Sequence, residues 1–321
     1  MANSEKKGWS GKSRGGKFGH QFFVWTVRLL GVRCAYVFLA FIVIYFIPFA
    51  PKATKAIWYY NRRRRGLGFF ASIKELYCHY FVFGQTLIDK IAMKGGLTER
   101  YNYKFDNYDR FLEILNSGQG VVMIGAHIGC WEAGAGFFGG YGKRINIVML
   151  DAEHKQIKEV LDENACSENN YKIIPLNQDI IEAMVQIKIA LNNGEYICFN
   201  GDRYMAEDNL TKVEFLGAEA QLPTGPFKIA TKCRVPIVFY YAMRESGCSY
   251  RFIFEEPVME KRGSIESLVE QYRASLERVV TKYPRQWFNF YDFWRTKNLG
   301  INNETDTTAC RCLLQGAEKC T

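Results

Sequence analysis

Acidic residues are nearly absent from the first 65 positions of the chain. Glu5 is the only acid there, against thirteen Lys and Arg, so this segment carries a charge of +12. The other 256 residues sum to −3, which leaves the formal net charge of +9. A nucleic-acid-binding domain would carry its basic patch on the folded body. Confinement of the charge to one end therefore argues against nucleic acid as the expected partner.

A disulfide framework is also lacking. The ten cysteines are scattered, and the chain has no secretory signature, because no small-residue cleavage site follows its apolar stretch. The tail sequence CRCLLQGAEKC at 310–320 matches no standard zinc spacing and has no histidine nearby. We therefore expect reduced thiols on the cytoplasmic side of a membrane, and no metal site.

The basic N-terminal end has two parts. Residues 1–20 are rich in Gly, Ser and Lys without an apolar period, which predicts a basic flexible tail. Residues 21–66 hold an uncharged apolar run at 34–51, whose 18 residues just reach the length of a membrane-spanning helix. Basic residues flank this run on both sides, whereas a span has one rich side. The pattern favours an interfacial or re-entrant membrane element, and a buried core helix is the alternative.

The sequence NRRRRG at 61–66 closes this apolar segment. A cluster of cations beside an apolar run suits anionic headgroups or an acidic carrier protein. The candidate docking residues are Arg62, Arg63, Arg64 and Arg65.

From residue 67 to residue 297 the apolar pattern alternates between helix and strand. Strands are predicted at 120–126, 145–150, 171–176, 195–200, 235–243 and 249–257, and helices at about 153–164, 178–193, 224–233 and 264–282 separate most of them. This alternation predicts an α/β fold with a mixed, largely parallel sheet flanked by helices. Residues 67–297 are read as one catalytic domain, and residues 298–321 as a polar, cysteine-containing tail.

The stretch VVMIGAHIGCWEAG at 121–134 places a histidine directly after a strand. Ligand sites of open α/β sheets lie at the carboxyl ends of strands, so His127 is expected to face a cleft. If Gly129 lets the chain turn and a helix begins near Cys130, Glu132 can point back at His127. A carboxylate on one ring nitrogen fixes the tautomer and leaves the other nitrogen as a base. The same spacing also fits a structural histidine beside a helix-N-terminal Glu.

HIGCWEAG resembles the H-x4-D/E signature of glycerolipid acyltransferases. Its Gly two positions after the His and its Trp before the acid resemble the lipid A late acyltransferase branch, the lauroyl and myristoyl transferases. Three further blocks are similar to that branch in the same order: LNNGEYICFNGDR (191–203), FLGAEAQLPTGPFKIATKCRVPIVFYYA (215–242) and YPRQWFNFYDFW (283–294). The opening GWSGKSRGGKFG and the stretch FVFGQTLIDK look most like homologues of aryl-polyene or flexirubin-type lipid pathways.

The resemblance implies a glycerolipid-acyltransferase-like fold and an acyl transfer. His127, oriented by Glu132, would be the general base that deprotonates a lipid hydroxyl or amine. That group would attack the thioester of an acyl carrier protein or coenzyme A, and no cofactor beyond this donor is implied. The expected location is the cytoplasmic face of the bacterial inner membrane. The expected partners are anionic membrane lipid, the acceptor lipid and acyl carrier protein.

Asp202 and Arg203 follow the next strand of the predicted catalytic edge. A guanidinium there suits the acceptor headgroup or the oxyanion, and an exposed loop pair is the alternative. Thr224 and Gly225 open a helix whose amides could bind an anion or simply be capped. Cys130 stands where lipid A enzymes commonly have Asn, and the closing block lacks their His. These departures leave the acceptor lipid open.

Functions of other classes remain open. A membrane-bound acyl-thioesterase would use the same pair to activate water, and a non-enzymatic membrane-binding protein would use only the basic segment. A covalent route through Cys130 and a dinucleotide site at GAGFFG (134–139) are weaker alternatives. In the latter, the glycines do not follow the strand directly. Acceptor-dependent product formation separates a transferase from a thioesterase.

Overall fold

The computed structural model describes residues 16–130, 133, 143–150, 171–176, 180–203, 209–258 and 264–294. Both predicted tails, apart from residues 16–20, and the helix predicted at 153–164 lie outside these residues. The helices are α1 (Gly16–Leu30), α2 (Val32–Phe46), α3 (Pro51–Tyr59), α4 (Phe69–Ala92), α5 (Tyr108–Asn116), α6 (Ile180–Asn192), α7 (Gly225–Cys233) and α8 (Ile265–Lys282). Short turns of 3-10 helix (Ile47–Phe49, Thr98–Arg100) and π-helix (Tyr60–Arg64, Met93–Leu97) follow α2, α3 and α4.

Within the described chain, seven strands form one sheet: β1 (Asn102–Asp106), β2 (Val121–Gly125), β3 (Ile145–Leu150), β4 (Tyr171–Leu176), β5 (Tyr196–Asn200), β8 (Ile237–Glu245) and β9 (Ser249–Glu255). Their order in the sheet is β1-β9-β8-β2-β5-β3-β4. β8 and β9 pair antiparallel, and the other neighbours pair parallel. A separate antiparallel pair consists of β6 (Leu210–Phe215) and β7 (Ala218–Pro223). The predicted mixed, largely parallel α/β fold is confirmed.

Strand β2 lies inside the sheet and is buried at all five positions. Val121 and Met123 belong to the core on the side of α4 and α5, whereas Val122 and Ile124 belong to the core on the side of α6, α7 and α8. Because side chains alternate along a strand, these two cores lie on opposite faces of the sheet. The sheet is therefore covered by helices on both sides, as expected for parallel strands.

Helix α2 has Arg33 as its one charged residue and is otherwise apolar on all sides, but it buries only one stripe. Val32, Ala35, Leu39 and Val43 are buried, and Leu39 packs where Gly84 of α4 has no side chain, since a Cβ there would lie 2.4 Å from it. The rest of the helix is largely exposed, and only 22% of the stretch Val32–Phe49 is buried. Among the described residues this stretch alone is long and apolar enough to cross a membrane, by length and composition.

The last arginine of the basic cluster is part of the fold. Arg65 donates a hydrogen bond to Glu75 at 3.0 Å. Arg285 donates two hydrogen bonds to the same carboxylate, from Nε at 2.9 Å and from Nη2 at 2.6 Å. The hydrogen bonds from Arg285, with those from Arg65, outweigh the effect of burial and lower the pKa of Glu75 to about 2. This ion-pair cluster joins α4 to the chain after α8.

Replacement of Glu75 by Gln should make stability less dependent on pH. The folded pKa of about 2 lies below the ordinary 4.5, so the carboxylate stabilises the fold above pH 4.5 and loses its effect as the pH falls towards 2. We expect the variant to be about 3 kcal/mol less stable at neutral pH. The gap to wild type should close in acid, as measured by denaturant unfolding in detergent. Glu113→Gln, which removes an exposed pair with Arg110, is the control. A gap that does not change with pH would contradict this linkage.

Candidate active site

The register between the parallel strands β2 and β5 places His127 beside Asp202. In the β2–β5 pair Gly125 lies opposite Asn200, so the residues two positions further on, His127 and Asp202, lie side by side. The imidazole Nδ1 is 2.8 Å from Asp202 Oδ1, and the backbone N–H of His127 donates to Oδ2 at 3.0 Å. One carboxylate therefore holds both the ring and the backbone of His127.

The partner of Nδ1 determines the tautomer of the histidine. An ionised carboxylate only accepts hydrogen bonds, so the proton lies on Nδ1 and the lone pair on Nε2. Asp202 is only 2% exposed. Burial raises its pKa, but His127 and Arg203, through charge and hydrogen bonds, outweigh burial and hold the pKa below its usual value. Nε2 is thus the basic atom, with the amide nitrogen of Asn200 at 3.5 Å.

A close backbone contact locks the ends of β2 and β5 together. The carbonyl oxygen of Gly125 accepts from the N–H of Gly201 at 2.8 Å and from the Tyr272 hydroxyl at 2.7 Å. A Cβ on Gly201 would lie 2.8 Å from the Ile124 side chain and 2.9 Å from the Tyr272 ring. Glycine is therefore needed directly before Asp202.

The chain turns at Gly129, as the sequence predicts. This residue has a φ of +64°, and a Cβ there would lie 2.1 Å from the carbonyl oxygen of Ala242. The same oxygen accepts from the N–H of Cys130 at 2.8 Å. The Cys130 side chain is itself buried, which disfavours the alternative of an accessible thiol nucleophile.

The closing block of the sequence holds the histidine loop from the other side. The N–H of Phe288 donates to the His127 carbonyl at 2.8 Å, and Ile128 forms an isolated β-bridge with Trp287. Gln286 accepts the N–H of Arg244 at 2.9 Å and donates to its carbonyl at 2.7 Å. The motif P-x-Q-W thus attaches the histidine loop to β8.

The structure bears differently on each residue that the sequence predicts around His127. Glu132 lies outside the described residues, so its pairing with His127 stays a prediction. The exposed-pair alternative is wrong for Asp202, which is buried against the imidazole. Arg203 is partly buried, with its guanidinium 5.6 Å from the centre of the Tyr291 ring, and Tyr291 donates to the Asp202 carbonyl at 2.9 Å.

Thr224 and Gly225 begin α7 without forming a side-chain cap. The Thr224 hydroxyl and its backbone N–H both donate to the carbonyl of Asn209, each at 2.8 Å. The capping alternative is therefore wrong for the hydroxyl. No hydrogen bond of the described residues joins this pair to His127, and anion binding by the amides of this helix stays a prediction.

The four arginines of the basic cluster do not form a uniform surface. Arg62 and Arg63 are exposed. Arg64 lies over the rings of Tyr59 and Trp294 and donates to a backbone carbonyl, and Arg65 binds Glu75. A docking role for the whole cluster therefore reduces to its first two members.

Asn200 is the site residue that the sequence analysis did not single out. Its side-chain amide nitrogen lies 3.5 Å from Nε2, the ring nitrogen of His127 that carries the lone pair. The available signal was its position at the end of β5, two residues before Asp202. Across the described ranges, no group of three or more His, Cys, Asp or Glu residues could hold a metal ion.

A histidine held by a buried carboxylate thus lies at the carboxyl ends of two parallel strands, where ligand sites of α/β enzymes are found. The family model for bacterial lipid A biosynthesis acyltransferases matches residues 82–296, which is more than half of the chain. The chain therefore belongs to this acyltransferase family, as the resemblance in the sequence implied. The matched region contains the histidine loop, both strand ends and the closing block. Comparison with individual curated proteins finds no match.

Proposed function

We propose that this chain is a membrane-associated acyltransferase that moves a fatty acyl group from a thioester to a lipid hydroxyl or amine. The donor would be an acyl carrier protein or coenzyme A. The observation that carries the proposal is the His127–Asp202 pair, which leaves Nε2 basic in a chain of an acyltransferase family.

In this mechanism Nε2 takes the proton of the acceptor group as its oxygen or nitrogen attacks the thioester carbonyl. Asp202 stabilises the imidazolium that forms. When the tetrahedral intermediate collapses, the carbon–sulfur bond breaks and Nε2 returns the proton to the leaving thiolate. The amide of Asn200 and the guanidinium of Arg203 are candidates to stabilise the oxyanion or bind the acceptor headgroup.

Glu132 is the second candidate carboxylate of this site. The contacts described support Asp202 in the orienting role that the sequence assigns to Glu132. Glu132 would then act beside the histidine on the acceptor or the donor. Separate removal of the two carboxyl groups distinguishes these roles.

The N-terminal helices support placement at a bilayer. Helix α2 and the 3-10 turn after it form the apolar stretch Val32–Phe49, whose 18 residues just reach the length of a span. Basic residues flank this stretch on both sides, whereas a span has one rich side. Helix α2 is also held along α4 by one stripe, with its remaining apolar face exposed. We propose that α2 lies against the cytoplasmic face of the bacterial inner membrane and does not span it alone, which gives the site access to an acceptor lipid.

The test is an assay with purified protein, an acyl carrier protein thioester and a total lipid extract. Thiol release and lipid mass spectrometry are followed for wild type, for His127→Ala and for the control His20→Ala. A new acylated lipid in wild type and the control, but not in His127→Ala, supports the transferase. Thiol release that needs His127 but no acceptor indicates a thioesterase. If the protein turns over none of the donors, the result supports the alternative of a non-enzymatic, basic membrane-binding protein.

A further inference from the structure

A cleft of about 540 Å³ lies outside the histidine site, at the junction of α3 and α4. Its lining residues are Lys55, Trp58, Tyr59, Arg62, Arg63 and Phe69. We propose that this cleft binds the phosphate of an anionic lipid headgroup and so docks the protein on the bilayer. This inference rests on the membrane location proposed above and not on the acyl transfer.

The spacing of the lining residues puts them on one side of a helix. Lys55, Trp58, Tyr59 and Arg62 are separated by three, four and seven positions from the first, which is the period of one helical face. The π-helical turn Tyr60–Arg64 continues α3. The opposite wall begins with α4, whose first residue, Phe69, lies edge-on to Trp58 with the ring centres 5.4 Å apart.

The lining is strongly positive. It contains three cations, and none of the described residues that form it is acidic. Arg62 donates Nη1 to the carbonyl of Leu67 at 2.7 Å, a bond that positions its exposed guanidinium on the cleft wall. Guanidinium and ammonium groups that converge on one concave surface suit a phosphate, which accepts several charge-assisted hydrogen bonds.

Two neighbouring arginines are excluded from this site by their own contacts. Arg64 lies against the rings of Tyr59 and Trp294, and Arg65 is bound to Glu75. The third cation that lines the cleft is Lys55, which lies outside the arginine cluster in the sequence. The site is therefore formed by Lys55, Arg62 and Arg63.

Exposed apolar side chains next to the cleft favour a lipid over an acidic protein. Phe69, Phe70 and Ile73 of α4 are 56%, 84% and 46% exposed. Aromatic rings beside cations are typical of surfaces that enter the interface of a membrane. An acidic carrier protein would satisfy the cations, but it would leave these rings in water. A lipid headgroup satisfies the cations while the bilayer covers the rings.

Two triple variants with the same loss of charge test the site. The cleft variant carries Lys55→Gln, Arg62→Gln and Arg63→Gln. The tail variant, which removes charge from the same basic segment, carries Lys6→Gln, Lys7→Gln and Lys12→Gln. Each protein is titrated calorimetrically with monomeric dihexanoyl phosphatidylglycerol and with inorganic phosphate, and is floated with phosphatidylcholine vesicles with and without phosphatidylglycerol.

We expect the cleft variant to lose about 100-fold in binding of the short-chain lipid and of the anionic vesicles, about fivefold for each cation near the surface. The tail variant should bind the short-chain lipid like wild type. At high salt its vesicle binding should also match wild type, since diffuse attraction is then screened. An equal loss in both variants would overturn the site in favour of diffuse charge.

Other outcomes also overturn the proposal. Inorganic phosphate that binds as tightly as the short-chain lipid would show a free-phosphate site. Loss of carrier-protein binding with vesicle binding retained would show a protein-docking surface. Acyl transfer in detergent, measured on the same cleft variant, keeps the two proposals apart. Retained transfer with lost lipid binding supports the cleft, whereas inactivity of wild type would refute only the acyltransferase.

Discussion

Replacement of Asp202 by Asn should lower the kcat of acyl transfer by about 10⁴, the cost of a comparable change in a Ser-His-Asp triad. The reason is the tautomer of His127. The carboxylate accepts one hydrogen bond from the Nδ1–H of the histidine and another from its backbone N–H. An amide has only one acceptor oxygen for these two donors. Its NH2 group favours a lone pair on Nδ1, which places the proton on Nε2 and removes the base.

The rate should be measured as thiol release under saturating donor and acceptor, with folding checked by denaturant unfolding. Glu132→Gln is the matched variant, because it removes the charge of the carboxylate that the sequence analysis predicts to orient His127. If Asp202 orients the histidine, Asp202→Asn is the more damaging of the two. Near-wild-type turnover of Asp202→Asn, with an inactive Glu132→Gln, would return the orienting role to Glu132.

Much of the fold could be predicted because its signals are local. Apolar runs bounded by polar residues predicted β2, β3, β4, β5, β8 and β9, and the periodicity of the apolar residues predicted α6, α7 and α8. The position of His127 directly after β2 followed from the same run. These features depend on neighbours in the chain, which a sequence displays directly.

The pairing of His127 with Asp202 depends on the order of the strands. The two residues are 75 positions apart, and they meet only because β5 lies next to β2 in a register that pairs Gly125 with Asn200. Strand order follows from packing of the whole sheet. The equal offset of both residues from their strand ends was the one local sign of this contact.

The strands missed in the sequence have weak local signals. β1 is a short edge strand with a largely solvated face. The β6–β7 pair turns through Leu216 and Gly217, with φ of 51° and 72°. Two positive φ values in a two-residue turn normally select Asn, Asp or Gly. A leucine at the first position therefore hid the hairpin.

A buried carboxylate connects the N-terminal helices to the sheet. Asp89 of α4 is fully buried and accepts hydrogen bonds from the hydroxyls of Tyr101 at 2.9 Å and Tyr250 at 2.7 Å. Arg244 of β8 pairs with it at 2.8 Å, and the hydroxyl of Tyr36 on α2 also donates to it. Because α2, α4 and two strands meet at this one side chain, it positions the apolar surface relative to the histidine site.

Asp89→Asn should therefore lower the free energy of unfolding by about 3–5 kcal/mol, since it leaves Arg244 charged, largely buried and without its counterion. A double-mutant cycle measured by denaturant unfolding tests this reason, because Asp89→Leu combined with Arg244→Leu should cost clearly less than the sum of the two single changes. Hydrogen exchange should show α2 amides opening more readily in Asp89→Asn, since the amide has only one acceptor oxygen for the hydroxyls of Tyr36, Tyr101 and Tyr250. Asp106→Asn, at a more exposed carboxylate paired with Arg251, is the control and should cost about 1 kcal/mol or less. If the free-energy costs of the two single changes are additive, Asp89 and Arg244 act independently, and the link between the apolar helix α2 and the sheet resides elsewhere.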